Sequence, residues 1–172
     1  VCLSGNNAIA LADQMIRAGE ADVVDAAGME SMSQAPHMLV GSREGVKYGD
    51  WNLKDSMALD GLFCAIDQLG MGESTEKYNA NHNLTRVAQD EFSAKSHQLA
   101  AAAIENGRFV AEITPVQLTQ KNGDVVEFKV DEGVRANTTV ETLGILKPAF
   151  TKDGTITAGS SSQISDGAAA LV

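Results

Sequence analysis

The chain opens with a helical pattern that leads directly into a strand-like run. Apolar residues recur at helical spacing over residues 8–16, and Gly19 follows as a helix stop. Residues 23–27 are mostly apolar and strand-like. A turn, a helix and a strand in this order form half of an α/β unit, so we expect an α/β protein in which this run lies deep in a sheet. Asp25 interrupts the run and either finds a hydrogen-bond partner or lies at a solvated position.

A cysteine stands where the helical pattern begins. Cys2 lies just outside the helix or in its first turn. Free backbone N–H groups and the positive end of a helix dipole favour the thiolate, which is the nucleophilic form of cysteine. Free cysteine is also among the most buried residue types and mostly behaves as a small hydrophobe. Position alone therefore leaves Cys2 as either a nucleophile or a core residue.

The middle of the chain predicts loops, one longer helix and a hairpin. Thr85 is a suitable N-cap for a long helix, and Gly107 is well placed to end it. Further on, two strand-like segments, residues 112–118 and 125–130, flank the turn residues Asn122-Gly123. An Asn-Gly pair between such segments predicts a β-hairpin.

Composition narrows the classes of function. The formal net charge of −10 argues against nucleic acid and anionic membranes as partners, because both need clustered positive charge. No apolar run approaches the roughly 20 residues that cross a bilayer. The 2 cysteines do not make a disulfide framework, and a nucleophilic thiol must stay unpaired. We therefore expect a cytoplasmic protein, or one of an organelle matrix if a targeting segment is missing from this sequence.

Three separate segments, in order along the chain, carry a family resemblance. They are Cys2-Leu3-Ser4-Gly5, the Gly-Met-Glu-Ser-Met-Ser run of residues 28–33, and the glycine- and serine-rich stretch of residues 157–170. Together they resemble the thiolases, specifically those of the acetyl-CoA acetyltransferase type. The last residues, 168–172, form an apolar run without a turn signal. We expect the chain to be an internal fragment of such a protein.

The resemblance implies a fold and a division into domains. It implies a thiolase-like α/β fold of layered αβαβα type, represented here by the latter part of the N-terminal half and an inserted loop domain. Residues 1–33 and 149–172 would belong to the N-terminal α/β core. Residues 34–148 would form the loop domain that covers the coenzyme A site.

The resemblance also implies an activity and its partners. Thiolases are acyl-CoA C-acyltransferases that form or cleave 3-ketoacyl-CoA through an acetyl-cysteine intermediate, with coenzyme A thioesters as substrates and no metal or redox cofactor. The implied partners are acetyl-CoA and acyl-CoA, and the implied assembly is a homodimer or homotetramer. The family's catalytic histidine and its second, proton-abstracting cysteine lie outside the part that matches here, so the fragment is not expected to be active alone.

The resemblance assigns roles to individual residues. Cys2 would be the nucleophile, and its own backbone N–H would be one donor to the oxyanion. Six further residues would contact coenzyme A, namely Leu62, Met71, Arg135, Phe150, Ala158 and Ser162. Gly70 stands where the biosynthetic enzymes carry a histidine, and Asn6-Asn7 stands where the family more often has an apolar residue first. The departure at Gly70 leaves the acyl-chain specificity open, and the Asn6-Asn7 pair indicates either a changed pocket or a diverged copy.

Two other functions remain possible on the sequence alone. A ketoacyl synthase has a cysteine at a similar strand-to-helix turn but lacks the match at residues 28–33. The other alternative is a non-catalytic thiolase-like protein that binds acyl-CoA or serves only in assembly. A downstream histidine and a second cysteine in the complete protein would favour the enzyme over this last alternative.

Overall fold

The computed structural model describes residues 2–172, which is every residue of the chain except Val1. In chain order its elements are α1 (Ser4–Arg17), β1 (Ala26–Glu30), a 3-10 turn (Met32–Gln34), β2 (His37–Met38), β3 (Lys54–Asp55), a π-helical turn (Met57–Gly61), β4 (Phe63–Cys64), β5 (Leu69–Gly70), α2 (Met71–Asn79), α3 (Arg86–Glu105), β6 (Val116–Thr119), β7 (Val125–Phe128), α4 (Val140–Gly144) and β8 (Gly167–Leu171). This mixture of helices and strands confirms the α/β class.

The residues form two compact units. The first contains the chain up to Ser74 together with Ile164–Val172, and the second contains Thr75–Gln163. The expected division into a core of residues 1–33 and 149–172 and a loop domain of residues 34–148 stays a prediction.

In the first unit, α1 ends as its sequence predicts. Gly19 has a φ of +74°, the left-handed conformation that glycine adopts without a steric penalty. Its N–H donates to the Ile16 carbonyl, and the N–H of Glu20 donates to the Met15 carbonyl. These two hydrogen bonds form a Schellman motif, which satisfies carbonyl groups left over at the end of the helix. The helix begins at Ser4, which is four residues before the first apolar residue of the pattern.

The strand that follows begins later than expected. β1 pairs with β8 in antiparallel register, from Ala26 opposite Leu171 to Glu30 opposite Gly167. Val23 lies outside the strand and is 71% exposed, so the expectation that residues 23–27 lie deep in a sheet is wrong. The cause is the register, because β8 pairs only with Ala26–Glu30 and leaves the preceding residues without a ladder partner. Asp25 is exposed, which agrees with the alternative that it lies at a solvated position.

In the second unit, an arginine joins the two helices that pack together there. The guanidinium of Arg86, at the start of α3, forms a salt bridge with Asp90 at 2.8 Å. It also donates to the carbonyl of Leu143 at 2.7 Å and to that of Leu146 at 2.9 Å, at the end of α4. The Leu143 carbonyl also accepts from the Leu146 N–H at 2.9 Å, and Leu146 lies just beyond the helix. The Arg86 side chain therefore adds hydrogen bonds at the end of α4 that fix this helix against α3.

The predicted hairpin is confirmed in the same unit. β6 and β7 pair in antiparallel register, from Val116 opposite Phe128 to Thr119 opposite Val125. Gly123 has a φ of +90° in the connecting turn. This positive φ explains why an Asn-Gly pair marks the turn in the sequence.

Thr85 is the N-cap of α3, and replacing it should weaken the helix measurably. Its hydroxyl accepts a hydrogen bond from the N–H of Ala88 at 3.2 Å. Thr85→Ala should therefore lower the free energy of unfolding by about 1 kcal/mol, the usual cost of a lost cap. Ser96→Ala, at an exposed position within α3, is the matched control and should change it by less than about 0.5 kcal/mol. Urea denaturation of the two variants measures the difference, and equal stabilities would contradict the capping role.

None of the helices formed by residues 2–172 combines the length and the apolar character that crossing a membrane requires.

Candidate active site

Cys2 lies directly before the N-cap of α1. The N-cap residue is Leu3, and no side chain forms a capping hydrogen bond there. The first turn of the helix carries no acidic side chain. Cys2 is unpaired and exposed. The backbone N–H groups at the start of a 14-residue helix thus lie next to an accessible thiol.

The start of α1 is held very close to β1. A Cβ atom added at Gly28 would lie 3.2 Å from the Cα atom and 3.7 Å from the backbone nitrogen of Gly5. Because both are backbone atoms, neither can rotate away. Glycine at position 28 therefore allows the strand to approach the first turn of α1, three residues after Cys2.

A cavity of about 1030 Å³ lies in front of Cys2 in the first unit. Its lining comes from the first turns of α1, from β1 and the 3-10 turn, from the π-helical turn and from β8. Ile9, Met32 and Met57 contribute apolar side chains, and Ser31 and Asn6 contribute polar groups. A mostly apolar cavity with a few polar groups suits a long, flexible ligand that needs a fixed register.

Leu62 and Met71 also lie in the first unit. Leu62 lines the cavity together with Cys2. Met71 is not among the lining residues, although its backbone N–H donates to the Leu62 carbonyl at 2.7 Å. The side chains are 39% and 43% exposed, respectively. The structure therefore places Leu62 on the wall of the same cavity as Cys2, and one backbone hydrogen bond connects Met71 to Leu62.

The other four predicted contacts lie in the second unit, and their role in binding stays a prediction. Phe150 is 39% exposed, and Arg135, Ala158 and Ser162 are exposed as well. Just before Ala158, Thr157 is fully buried, and its carbonyl accepts a hydrogen bond from the Ser161 hydroxyl at 2.7 Å. Ala158 and Ser162 therefore flank a loop that is fixed by its own hydrogen bonds.

Two residues that were not predicted from the sequence hold the predicted site segments. The Nδ1 atom of His97 accepts a hydrogen bond from the backbone N–H of Arg135 at 3.2 Å. In the first unit, Asp166 accepts a hydrogen bond from the backbone N–H of Ser33 at 2.8 Å and another from the Ser33 hydroxyl. These hydrogen bonds from Ser33, together with weaker ones from Ser31 and the Met32 amide, hold the pKa of Asp166 below its usual range.

The sequence contains a signal for Asp166 but none for His97. Asp166 stands directly before β8, inside the third matching segment, so an acidic side chain next to a strand end was visible in the sequence. His97 lies within α3 and is separated from Arg135 by 38 residues. No spacing rule within a helix could have revealed its partner.

Residues 2–172 contain no group of three or more histidine, cysteine, aspartate or glutamate side chains that could hold a metal ion.

Comparison with known proteins establishes the family. The family model described as the N-terminal domain of thiolase matches residues 1–172, which is the whole chain. The chain belongs to the thiolase family. The solved structures agree, because this thiolase chain superposes on human mitochondrial 3-ketoacyl-CoA thiolase with a TM-score of 0.89 and 39% identity. The superposition covers 98% of this chain and 42% of the human one. The expected thiolase-like α/β fold is thus confirmed.

Further relatives of this thiolase chain are bacterial. A probable acetyl-CoA acetyltransferase of Mycolicibacterium smegmatis is 60% identical, and an acetyl-CoA acetyltransferase of Thiocystis violacea is 51% identical. Both alignments cover all 172 residues of this chain. The acetyl-CoA acetyltransferase structure from Bacillus anthracis has a TM-score of 0.88 and 38% identity, over 98% of this chain and 42% of that one. The thiolase chain spans 44% of the length of the two curated relatives.

Proposed function

We propose that the protein containing this chain is an acyl-CoA C-acyltransferase that acts on acetyl-CoA. The observation that carries the proposal is the position of Cys2, an exposed and unpaired thiol directly before an uncapped helix N-terminus, on the wall of a cavity of about 1030 Å³. The names of the bacterial relatives support the choice of acetyl-CoA as substrate.

In the first half-reaction, the Cys2 thiolate attacks the thioester carbonyl of acetyl-CoA. The carbon–sulfur bond to coenzyme A breaks, coenzyme A leaves as a thiolate that takes up a proton, and an acetyl-cysteine remains. Negative charge develops on the carbonyl oxygen during the attack. The backbone N–H of Cys2 is one donor available to that oxygen, and such donors stabilise the transition state strongly in a site shielded from water.

In the second half-reaction, a base removes a proton from the methyl group of another acetyl-CoA. The resulting carbanion attacks the acetyl-cysteine, forms a carbon–carbon bond and releases 3-ketoacyl-CoA and the Cys2 thiolate. Read in reverse, the same steps cleave 3-ketoacyl-CoA with coenzyme A. The base is not assigned to a residue of this chain, because the resemblance puts it in another part of the protein.

We propose that coenzyme A binds along the six predicted contact residues. Leu62 and Met71 would contact the pantetheine arm, as would Phe150 and Ala158, while Ser162 would donate to its amide. Arg135 would meet the phosphates or the adenine. The net charge of −10 makes a local cation valuable for an anionic ligand.

We also expect a homodimer or homotetramer, a cytoplasmic location and a place in fatty acid metabolism.

Residue 70 is a glycine where the resemblance places a histidine in the biosynthetic enzymes. The Gly70 N–H donates to the Glu73 carboxylate at 2.9 Å. A Cβ atom at position 70 would lie 3.3 Å from the same carboxylate oxygen. Glu73 therefore occupies the space beside Gly70 that a side chain would otherwise use, which sets this site apart from the biosynthetic enzymes with histidine there.

The test is the intact mass of the full-length protein after incubation with acetyl-CoA, followed by peptide mapping. We expect a stable gain of one acetyl group, located on Cys2. A protein that binds acetyl-CoA without being labelled would instead be a thiolase-like binding protein and would contradict the proposal. Labelling at another residue would refute the assignment of Cys2.

A further inference from the structure

One carboxylate in the first unit connects two segments that are far apart in sequence. Asp166 accepts hydrogen bonds from the backbone N–H of Ser33, at 2.8 Å, and from its hydroxyl, across a separation of 133 residues. Both hydrogen bonds go to a carboxylate, and charge-assisted hydrogen bonds are about twice as strong as neutral ones. The hydrogen bonds from Ser33 favour the ionised form of Asp166, so the contact is present at neutral pH.

The segments that Asp166 connects form two walls of the cavity in front of Cys2. On one side, Ser31, Met32 and Gln34 line the cavity before, within and at the end of the 3-10 turn. On the other side, the lining includes Gly167, the residue after Asp166 and the first residue of β8. Asp166 directly precedes β8, and Ser33 lies shortly after β1. The hydrogen bonds between these two residues therefore join the two cavity walls at one end of the β1–β8 pair.

The 3-10 turn buries little of its surface in the described structure. None of its three residues is buried, and its N-cap residue provides no side-chain cap. Met29, in the strand just before it, is 82% exposed. A segment with few buried apolar contacts opens easily unless specific polar contacts restrain it. Asp166 provides such contacts.

We propose that Asp166 is a positioning residue that clamps the 3-10 turn against the start of β8 and so fixes the cavity wall that faces Cys2. This inference rests on the proposed function and adds to it a residue that acts without touching the reacting atoms. A shift of one wall by about 1 Å would misplace a bound thioester relative to the thiol, and misplacement of that size can cost on the order of 100-fold in rate. The clamp should therefore affect the rate of acetylation more than the stability of the fold.

The test compares four variants of the full-length protein with the wild type. Asp166→Ala removes both acceptors, Asp166→Asn keeps one oxygen for the Ser33 amide, and Ser33→Ala removes only the hydroxyl donor. Asp124→Asn is the matched control, since the Asp124 carboxylate is also exposed but accepts its hydrogen bond from the Asn122 side chain within the same turn. Single-turnover acetylation of Cys2 over a range of acetyl-CoA concentrations, hydrogen exchange of residues 31–34 and the melting temperature are measured for each.

We expect Asp166→Ala to lower the maximal acetylation rate about tenfold, with a smaller loss for Asp166→Asn and Ser33→Ala, and no change for Asp124→Asn. Hydrogen exchange in residues 31–34 should become faster in the same order, while the melting temperature changes little. A wild-type acetylation rate in Asp166→Ala would overturn the proposal. A loss of acetylation rate that appears only at temperatures where the variant unfolds would also overturn it.

The clamp and the proposed function can fail separately. If the wild type is not acetylated, the proposed function fails. The clamp is then tested by hydrogen exchange of residues 31–34 and by the affinity for acetyl-CoA. Faster exchange in residues 31–34 together with weaker binding of acetyl-CoA in Asp166→Ala would still support it. Unchanged exchange in that segment would overturn it.

Discussion

Replacing Cys2 by serine is expected to abolish acetyl transfer in the full-length protein while leaving the fold intact. The two side chains are close in size, and Cys2 is exposed, so the substitution creates no cavity and no clash. A hydroxyl group is a weak nucleophile unless a base activates it, whereas cysteine sulfur is intrinsically a strong nucleophile. The acetylation rate should fall by at least about 1000-fold, as expected when an essential nucleophile is removed.

The second cysteine provides the matched control for this experiment. Cys64 is half-buried in β4, where its Sγ atom accepts a hydrogen bond from the Asp67 backbone N–H at 3.4 Å. A serine oxygen can accept the same hydrogen bond, so Cys64→Ser should fold and be acetylated like the wild type. Peptide mapping of both variants after incubation with acetyl-CoA separates the two thiols. Continued turnover in Cys2→Ser, or loss of labelling in Cys64→Ser alone, would refute the assignment of Cys2.

Features determined by a few neighbouring residues were predictable from the sequence. Gly19 ends α1, Thr85 caps α3, and the Asn122-Gly123 pair turns the hairpin, each as expected. In all three cases the deciding interaction lies within about five residues of the signal. A positive φ or a capping hydroxyl has the same local consequence whatever the rest of the chain does.

Features that depend on distant partners were not predictable in this way. The start of β1 follows from its register with β8, more than 130 residues later, and the apolar run before it gave the wrong boundary. The hydrogen bonds between Asp166 and Ser33 span a similar separation. Hydrophobic pattern identifies a segment as strand-like, but its pairing partner decides which residues join the sheet.

The site itself was only partly visible in the sequence. From the sequence, a cysteine before a helix could be either a nucleophile or a core residue. The burial of its side chain in the structure distinguishes the two. The structure leaves Cys2 exposed at a cavity that Leu62 also lines. The resemblance named both residues, but no pattern in the sequence could show that they share one cavity, because 60 positions separate them. His97 accepts its hydrogen bond from a backbone N–H of a distant segment, and such a contact leaves no trace in residue spacing.

Adding a single methyl group at Gly28 is expected to disturb both the fold and the chemistry. Its Cβ atom would lie 3.2 Å from the Cα atom of Gly5, so Gly28→Ala must push β1 away from the first turn of α1. Overpacking of this kind costs about 1–3 kcal/mol of stability. Because Gly5 lies three residues after Cys2, the same shift should move the thiol and slow its acetylation by about tenfold.

Gly144→Ala is the matched control for Gly28→Ala, since a Cβ atom at Gly144, the last residue of α4, would meet no heavy atom within 4 Å. Alanine is favoured over glycine in helices, so this control should be neutral or stabilising by up to about 1 kcal/mol. Urea denaturation and single-turnover acetylation of the full-length variants measure the two effects separately. If Gly28→Ala kept wild-type stability, the close approach of β1 to α1 would not constrain the fold. If it lost stability but was acetylated at the wild-type rate, the position of Cys2 would be independent of β1, and the strand would have no part in placing the nucleophile.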